Sequence, residues 1–162
     1  MGGAGWKWFD GHWRATSATA LLDAGIKKLI IDGGLWMHMA IQKTPACAIR
    51  DANGDYLNLT DFVQAAIEPL EILRLYGFQP VIVFDGETVD SKVNTDAIRE
   101  EKRNANYQKF SESRATNTID TNALIQSFNI HGHARLLLIA ALRKVKIDFI
   151  QFRVIEVFRL LS

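Results

Sequence analysis

Asp32 and Asp85 carry the strongest chemical suggestion in this sequence. Asp32 closes the run Lys27-Lys-Leu-Ile-Ile-Asp32 ahead of Gly33-Gly34, and Asp85 closes Pro80-Val-Ile-Val-Phe-Asp85 ahead of Gly86. Short apolar bursts of this kind read as strands buried on both faces, as in parallel sheets. Ligands of such sheets gather beyond the carboxyl ends of the strands. One strand-end aspartate is explained equally well as the cap of the following helix; two on neighbouring strands favour a shared site. Carboxylates a few ångströms apart repel unless a cation joins them, and hard oxygen ligands with retained water describe magnesium. Paired magnesium ions, about 4 Å apart, serve phosphodiester cleavage by activating water and stabilising the leaving oxygen. Two carboxylates hold two such ions poorly, so further acids are expected from later strands.

A second group of charges follows. Residues 89–118 are polar, with Lys92, Arg99, Lys102, Arg103, Lys109 and Arg114 alternating with acids. This is a solvated helical face or a helical arm that tracks phosphates. On a helix Lys92 and Arg99, two turns apart, share a face, and Arg103 joins it at i+4. Pairing of these cations with Glu100 and Glu101 is the alternative.

The elements that must position these groups are readable in outline. The first strand ends at Asp32 and a helix is expected over Leu35 to Lys43, stopped near Pro45. Turn residues Asp51, Asn53, Gly54 and Asp55 form a polar loop. Asn58 or Thr60 then caps a helix whose apolar positions Phe62, Ala66, Leu70 and Leu73 recur every three or four residues. Gly77 ends this helix, and Pro69 is expected to kink or break it. The second strand ends at Asp85; a helix around Ala134 to Val145 leads to a third strand from Ile147 to Phe152. The opening stretch, Met1 to Gly25, suggests short helical turns packed by Trp6, Trp8, Phe9 and Trp13. Strands joined by helices give an α/β class with a parallel sheet. His131-Gly-His133 reads as a helix start rather than a metal pair, because residues two apart on a helix diverge. Asn58-Leu-Thr60, formally a glycosylation acceptor, reads as a cap.

Composition sets the frame. The chain has 162 residues, the size of one ordinary domain. Its 48% hydrophobic and 23% charged residues exclude disorder and collagen-like repeats. A net charge of +1 does not advertise a nucleic-acid partner. Its distribution says more: residues 32–85 hold 3 basic and 7 acidic side chains, whereas residues 131–162 hold 6 basic and 2 acidic. Cys47 is alone, so no intramolecular disulfide forms and a reducing compartment is expected. No signal peptide or membrane span is expected, since polar residues interrupt every apolar stretch. Trp6 stands where a myristoylation motif wants Ser or Thr.

Several segments together carry a family resemblance. They are Ile31-Asp-Gly-Gly-Leu-Trp-Met-His38, Leu73-Arg-Leu-Tyr-Gly-Phe-Gln-Pro-Val-Ile-Val-Phe-Asp-Gly86, Ser91-Lys92 and Arg99-Glu-Glu-Lys-Arg-Asn-Ala-Asn106, with the opening Met1-Gly2-Gly-Ala-Gly5. This set resembles the amino-terminal region of the structure-specific 5′ nucleases, the flap endonuclease and exonuclease 1 family, and most of all exonuclease 1, from Ile26 to about Asn106. The resemblance implies a PIN-like α/β domain with a central parallel sheet and a helical arch over residues 89–128. The nuclease region would cover residues 1–150 and leave a divergent apolar tail at 151–162. It implies a magnesium-dependent 5′–3′ exonuclease or flap endonuclease acting in DNA repair, replication or recombination in the nucleus. The implied substrate is DNA with a 5′ flap, a nick or a recessed end, with no membrane partner.

Residue by residue, the resemblance makes Asp32 and Asp85 the first two metal-site aspartates of a two-metal centre. It makes Lys92 and Arg99 the pair that reaches the scissile phosphate, with Arg103 as a further DNA-binding cation. Gly2 matches the small residue beside the active site, and His38 the ring that stacks at the bent junction of the duplex. The aromatic partner of that wedge would stand at position 34, which here is Gly34. After the third strand the family's acidic motif is missing: the chain reads Gln151-Phe-Arg-Val-Ile-Glu-Val-Phe-Arg-Leu-Leu-Ser162, with Glu156 out of register and no partner carboxylate. The family's later aspartates and helix-hairpin-helix are not in this sequence. An incomplete nuclease is expected, a truncated, alternatively spliced or mispredicted product. The rival readings are a non-catalytic DNA-binding or interaction fragment and a phosphatase-like α/β enzyme with Asp32 as nucleophile.

Overall fold

Three parallel strands form the sheet of the fold: β1 (Lys28–Asp32), β2 (Gln79–Phe84) and β3 (Asp148–Gln151), side by side in the order β1-β2-β3. The computed structural model describes residues 17–85 and 93–151. Ahead of β1 stands a short helix, α1 (Ala18–Asp23), the described part of the Trp-rich opening; Trp6, Trp8, Phe9 and Trp13 lie outside the described residues. Between β1 and β2 come α2 (Gly33–Lys43), a 3₁₀ turn (Pro45–Ala48) and α3 (Thr60–Leu75). Between β2 and β3 come α4 (Val93–Ala115), α5 (Thr121–Gln126) and α6 (His133–Lys144). Parallel neighbours need such crossovers, which is why the helices alternate with the strands.

The core lies where the helices meet one face of the sheet. Ile31, Ile82 and Phe149 are register partners on that face. They pack with Phe84 against Met37 and Ile41 of α2, Phe62 and Leu70 of α3, and Leu138 and Leu142 of α6. The apolar stripe expected on α3 is confirmed, with Phe62, Ala66 and Leu70 buried and Leu73 packed against the same cluster.

The expectation of strands buried on both faces holds for β2 and fails for β1. Residues Pro80 to Ile82 are buried, but β1 alternates, and Ile30 is 66% exposed. On the same face at the other end of the sheet Ile150 is 46% exposed. The reason is layering: the core cluster lies on the Ile31 face, so the side strands keep one face open.

The break expected at Pro69 is absent. Helix α3 runs unbroken from Thr60 to Leu75 with Pro69 inside it. A proline removes one backbone donor, here the one that would reach the Ala65 carbonyl, and crowds the preceding turn, yet the helix continues through it. Trp36 Nε1–H donates to the neighbouring Ala66 carbonyl at 2.8 Å and ties this turn to α2. The cap of α3 is also built one residue off. Thr60 is already helical, and Asn58 Oδ1 accepts its amide at 2.9 Å while Asn58 Nδ2 donates to Asp61.

Two turns carry the chain from a helix into a strand by the same geometry. After α3, Gly77 has φ +90° and the Phe78 amide donates to the Leu73 carbonyl. After α6, Lys146 has φ +55° and the Ile147 amide donates to the Leu142 carbonyl. The first turn uses the residue suited to that conformation; the second places a lysine in it.

Candidate active site at the carboxyl edge of the sheet

Asp32 ends β1 opposite Val83, and Asp85 follows β2 directly, two residues beyond that pairing. With strands ~4.8 Å apart and ~3.3 Å per residue, the two Cα atoms stand on the order of 8 Å apart. Both residues are exposed at the carboxyl edge. Helix α2 starts two residues earlier than its sequence pattern suggests, at Gly33, because Asp32 caps it: Oδ1 accepts the Leu35 amide at 2.9 Å. Capping and site membership, alternatives at the level of sequence, are compatible here. The cap fixes the carboxylate at the sheet edge through one of its two oxygens.

The glycines after Asp32 serve this arrangement. A Cβ on Gly33 would lie 2.5 Å from Phe84 Cδ1 and 2.9 Å from the Val83 carbonyl oxygen, so only glycine lets α2 start this close to β2. A Cβ on Gly34 would stand 3.2 Å from Asp32 Oδ1. An aromatic residue at that position would therefore have to share space with the capping carboxylate.

Arg135 also belongs to this edge and is missed by motif reasoning. Its Nη2 donates to the Asp85 carbonyl at 2.8 Å, and its guanidinium lies 5.3 Å from the centroid of the Phe84 ring. The strand end that presents Asp85 is thus fastened from α6. A sequence signal existed. A cation in the first turn of a helix opposes the helix dipole, so an arginine three residues into α6 needs another reason to be there.

His38 is exposed on α2, and His133 is the first residue of α6, as its expected role at a helix start requires. Arg99 and Arg103 both lie on α4, which begins one residue after Lys92. Arg99 is exposed. Arg103 is held by Glu100: its Nε donates to Glu100 Oε2 at 2.9 Å, and Nη2 donates to the same oxygen. Self-pairing along the arm is therefore present for Arg103. Gly2, Lys92 and Glu156 lie outside the described residues.

Two carboxylates of adjacent strands supply hard oxygen donors of the kind a divalent cation takes. They amount to a partial set, since no cluster of three His, Cys, Asp or Glu that could hold a metal forms among the described residues. No helix of the described residues is long and apolar enough to cross a membrane.

The small parallel sheet with flanking helices is the α/β fold that the motif resemblance implies. Comparison with known proteins agrees. The XPG N-terminal domain matches residues 13–106, and the chain belongs to that family of 5′ nucleases. Exonuclease 1 of Xenopus laevis is 34% identical over 83 residues, which cover 51% of this chain and 11% of that protein. Exodeoxyribonuclease 1 of Schizosaccharomyces pombe is 34% identical over 83 residues, covering 51% and 14%. Exodeoxyribonuclease 1 of Saccharomyces cerevisiae is 34% identical over 79 residues, covering 48% and 10%. The match thus spans about a tenth of the length of these relatives.

Proposed function

We propose that this chain carries the amino-terminal part of a magnesium-dependent 5′ nuclease that hydrolyses phosphodiesters of DNA at flaps, nicks or recessed 5′ ends in nuclear repair, replication or recombination. The observation that carries the reading is the placement of Asp32 and Asp85 at neighbouring strand ends, within the segment that matches the family. Asp32 and Asp85 would hold the divalent ion, whose chemistry when bound is activation of water and neutralisation of phosphate charge. Asp32 is oriented for this by the Leu35 amide, and Asp85 by the hold of Arg135 on its peptide. Lys92 and Arg99 stabilise the charge that gathers on the phosphate oxygens in the transition state. Arg103 extends this cationic face along the backbone, His38 offers a flat ring to a terminal base pair, and Gly2 leaves room for the strand.

Incubation of the 162-residue chain with magnesium and a 5′-flap or recessed-end duplex tests the reading. Cleavage that disappears in Asp85→Ala is expected. Absence of cleavage at any magnesium concentration refutes the catalytic reading for this chain. The rival reading is a non-catalytic DNA-binding fragment. For that rival the expected result is salt-dependent binding of junction DNA without cleavage.

A further inference from the structure

We propose that Arg50 is the positioning residue of the helical arm, clasping α4 to the body of the fold and so fixing where the face bearing Arg99 and Arg103 is presented to a nucleic-acid backbone. The second half of this proposal rests on the DNA-directed reading above. The first half stands on the contacts of Arg50 alone.

Arg50 follows the 3₁₀ turn and forms an isolated antiparallel bridge with Tyr56. Its guanidinium lies 4.9 Å from the centroid of the Tyr107 ring and 5.6 Å from that of Tyr56. Nη1 donates to Asn104 Oδ1 at 3.2 Å, and Nη2 donates to the Ser127 carbonyl at 2.7 Å. The backbone joins in. The Arg50 amide donates to the Tyr107 hydroxyl at 3.0 Å, and that hydroxyl donates to the Arg50 carbonyl at 3.3 Å. One residue thus ties its own loop to α4, through Asn104 and Tyr107, and to the end of α5, through Ser127.

The chemistry of this clasp is particular to arginine. A planar guanidinium offers two faces to aromatic rings and a fork of donors at its edge, which an ammonium cannot reproduce. No carboxylate pairs with Arg50 among the described residues, and its Nε is buried without an acceptor. Holding a half-buried cation in this way is unfavourable unless the rings and the two carbonyl acceptors offset it. A surface charge kept for solubility would not be placed so.

The position of the clasp along α4 gives it consequence. From residue 97 to residue 102 every side chain of the helix is exposed, whereas Tyr107 is half-buried and Phe110 is buried in the core. Asn104 and Tyr107 therefore mark the point where the arm leaves the body. Arg99, Arg103 and Tyr107 follow one another at four-residue spacing and so run along one stripe of the helix. At ~1.5 Å per residue Arg99 lies about 12 Å from Tyr107, so a tilt of about 10° at the clasp moves it by about 2 Å. Displacements of that size decide whether a charged group meets a phosphate.

The test compares wild type, Arg50→Met, Arg50→Lys and Tyr107→Phe in the whole chain. Two quantities are measured: hydrogen exchange of amides 97–108 against those of α3, and affinity for a recessed-end duplex at fixed salt without divalent ions. Arg50→Met is expected to speed exchange in 97–108 about tenfold, with α3 changed by less than about twofold, and to weaken duplex binding about fivefold or more. Arg50→Lys is expected to behave like Arg50→Met, because charge without fork and stacking face does not rebuild the clasp. Rescue of both measurements by lysine overturns the proposal, since Arg50 would then act only as a charge. Unchanged exchange of α4 in Arg50→Met overturns it as well. Should Arg50→Met unfold throughout, Tyr107→Phe decides: wild-type exchange in 97–108 overturns the clasp, and faster exchange confined to that segment supports it. A wild-type chain that binds no duplex brings down the DNA-directed reading and the second half of the proposal, while α4 exchange still reports on the clasp itself.

Discussion

The Leu35 amide reaches Asp32 Oδ1 at 2.9 Å, so substitution at this single position separates capping from charge. Asparagine caps helices about as well as aspartate, whereas alanine forfeits the cap at a cost of about 1 kcal/mol. Asp32→Asn is therefore expected to hold its urea midpoint near that of wild type and to lose affinity for manganese, used as a spectroscopic stand-in for magnesium. Asp32→Ala is expected to lose both. A full loss of stability in Asp32→Asn would show that the negative charge, not the cap, holds the start of α2. The two aspartates were legible from the sequence because each ends a β-branched run at an Asp-Gly pair, a local signal. Arg135 and Arg50 were not. Their hydrogen-bond partners lie 50 or more residues away, and a contact across that separation leaves no periodicity to read.

Helix α4 shows how an element modulates the charges it carries. Glu100 holds Arg103 one turn away, and an i,i+3 pair of this kind competes with any phosphate for the same guanidinium. Glu100→Gln is expected to raise affinity for a recessed-end duplex severalfold and to steepen its salt dependence by about one unit, as one more cation becomes available to the backbone. An unchanged slope would mean that Arg103 does not meet the phosphates. The turn after α6 offers a prediction on stability. Lys146 sits at φ +55° where its counterpart Gly77 sits at +90°, and a side chain in that region costs on the order of 1 kcal/mol. Lys146→Gly is expected to gain about 0.5 kcal/mol after the entropy of the added glycine is counted, measurable in urea unfolding. Boundaries of this kind are half-legible. Gly77 announces its turn, Lys146 does not, and Pro69 announces a break that the helix does not make.

For the molecule as a whole, the near-zero net charge is a sum of opposed regions: the acidic stretch from residue 32 to 85 ends in the sheet-edge carboxylates, and basic side chains populate α4 and the segment after residue 131. The open face of β1 and β3 belongs to the same scale, because the burial of Ile30 and Ile150 depends on what layers surround the sheet and not on their own runs of sequence. If DNA lies along α4 and crosses the carboxyl edge, its phosphates approach Asp32 and Asp85 and are repelled by them in the absence of a cation. Two unit charges about 7 Å apart at an effective dielectric of about 20 repel by about 2 kcal/mol, before screening by salt reduces the figure. In EDTA the doubly neutralised Asp32→Asn, Asp85→Asn chain is therefore expected to bind a recessed-end duplex more tightly than wild type, by several-fold. Adding a divalent ion at constant ionic strength should reverse the order, strengthening wild type and leaving the variant unchanged, because only wild type can place the ion between carboxylate and phosphate. If neutralising both acids leaves binding in EDTA unaltered, the phosphates do not pass the sheet edge. The arm would then bind DNA without delivering it to the carboxylates, the behaviour of a binding fragment and not of a nuclease.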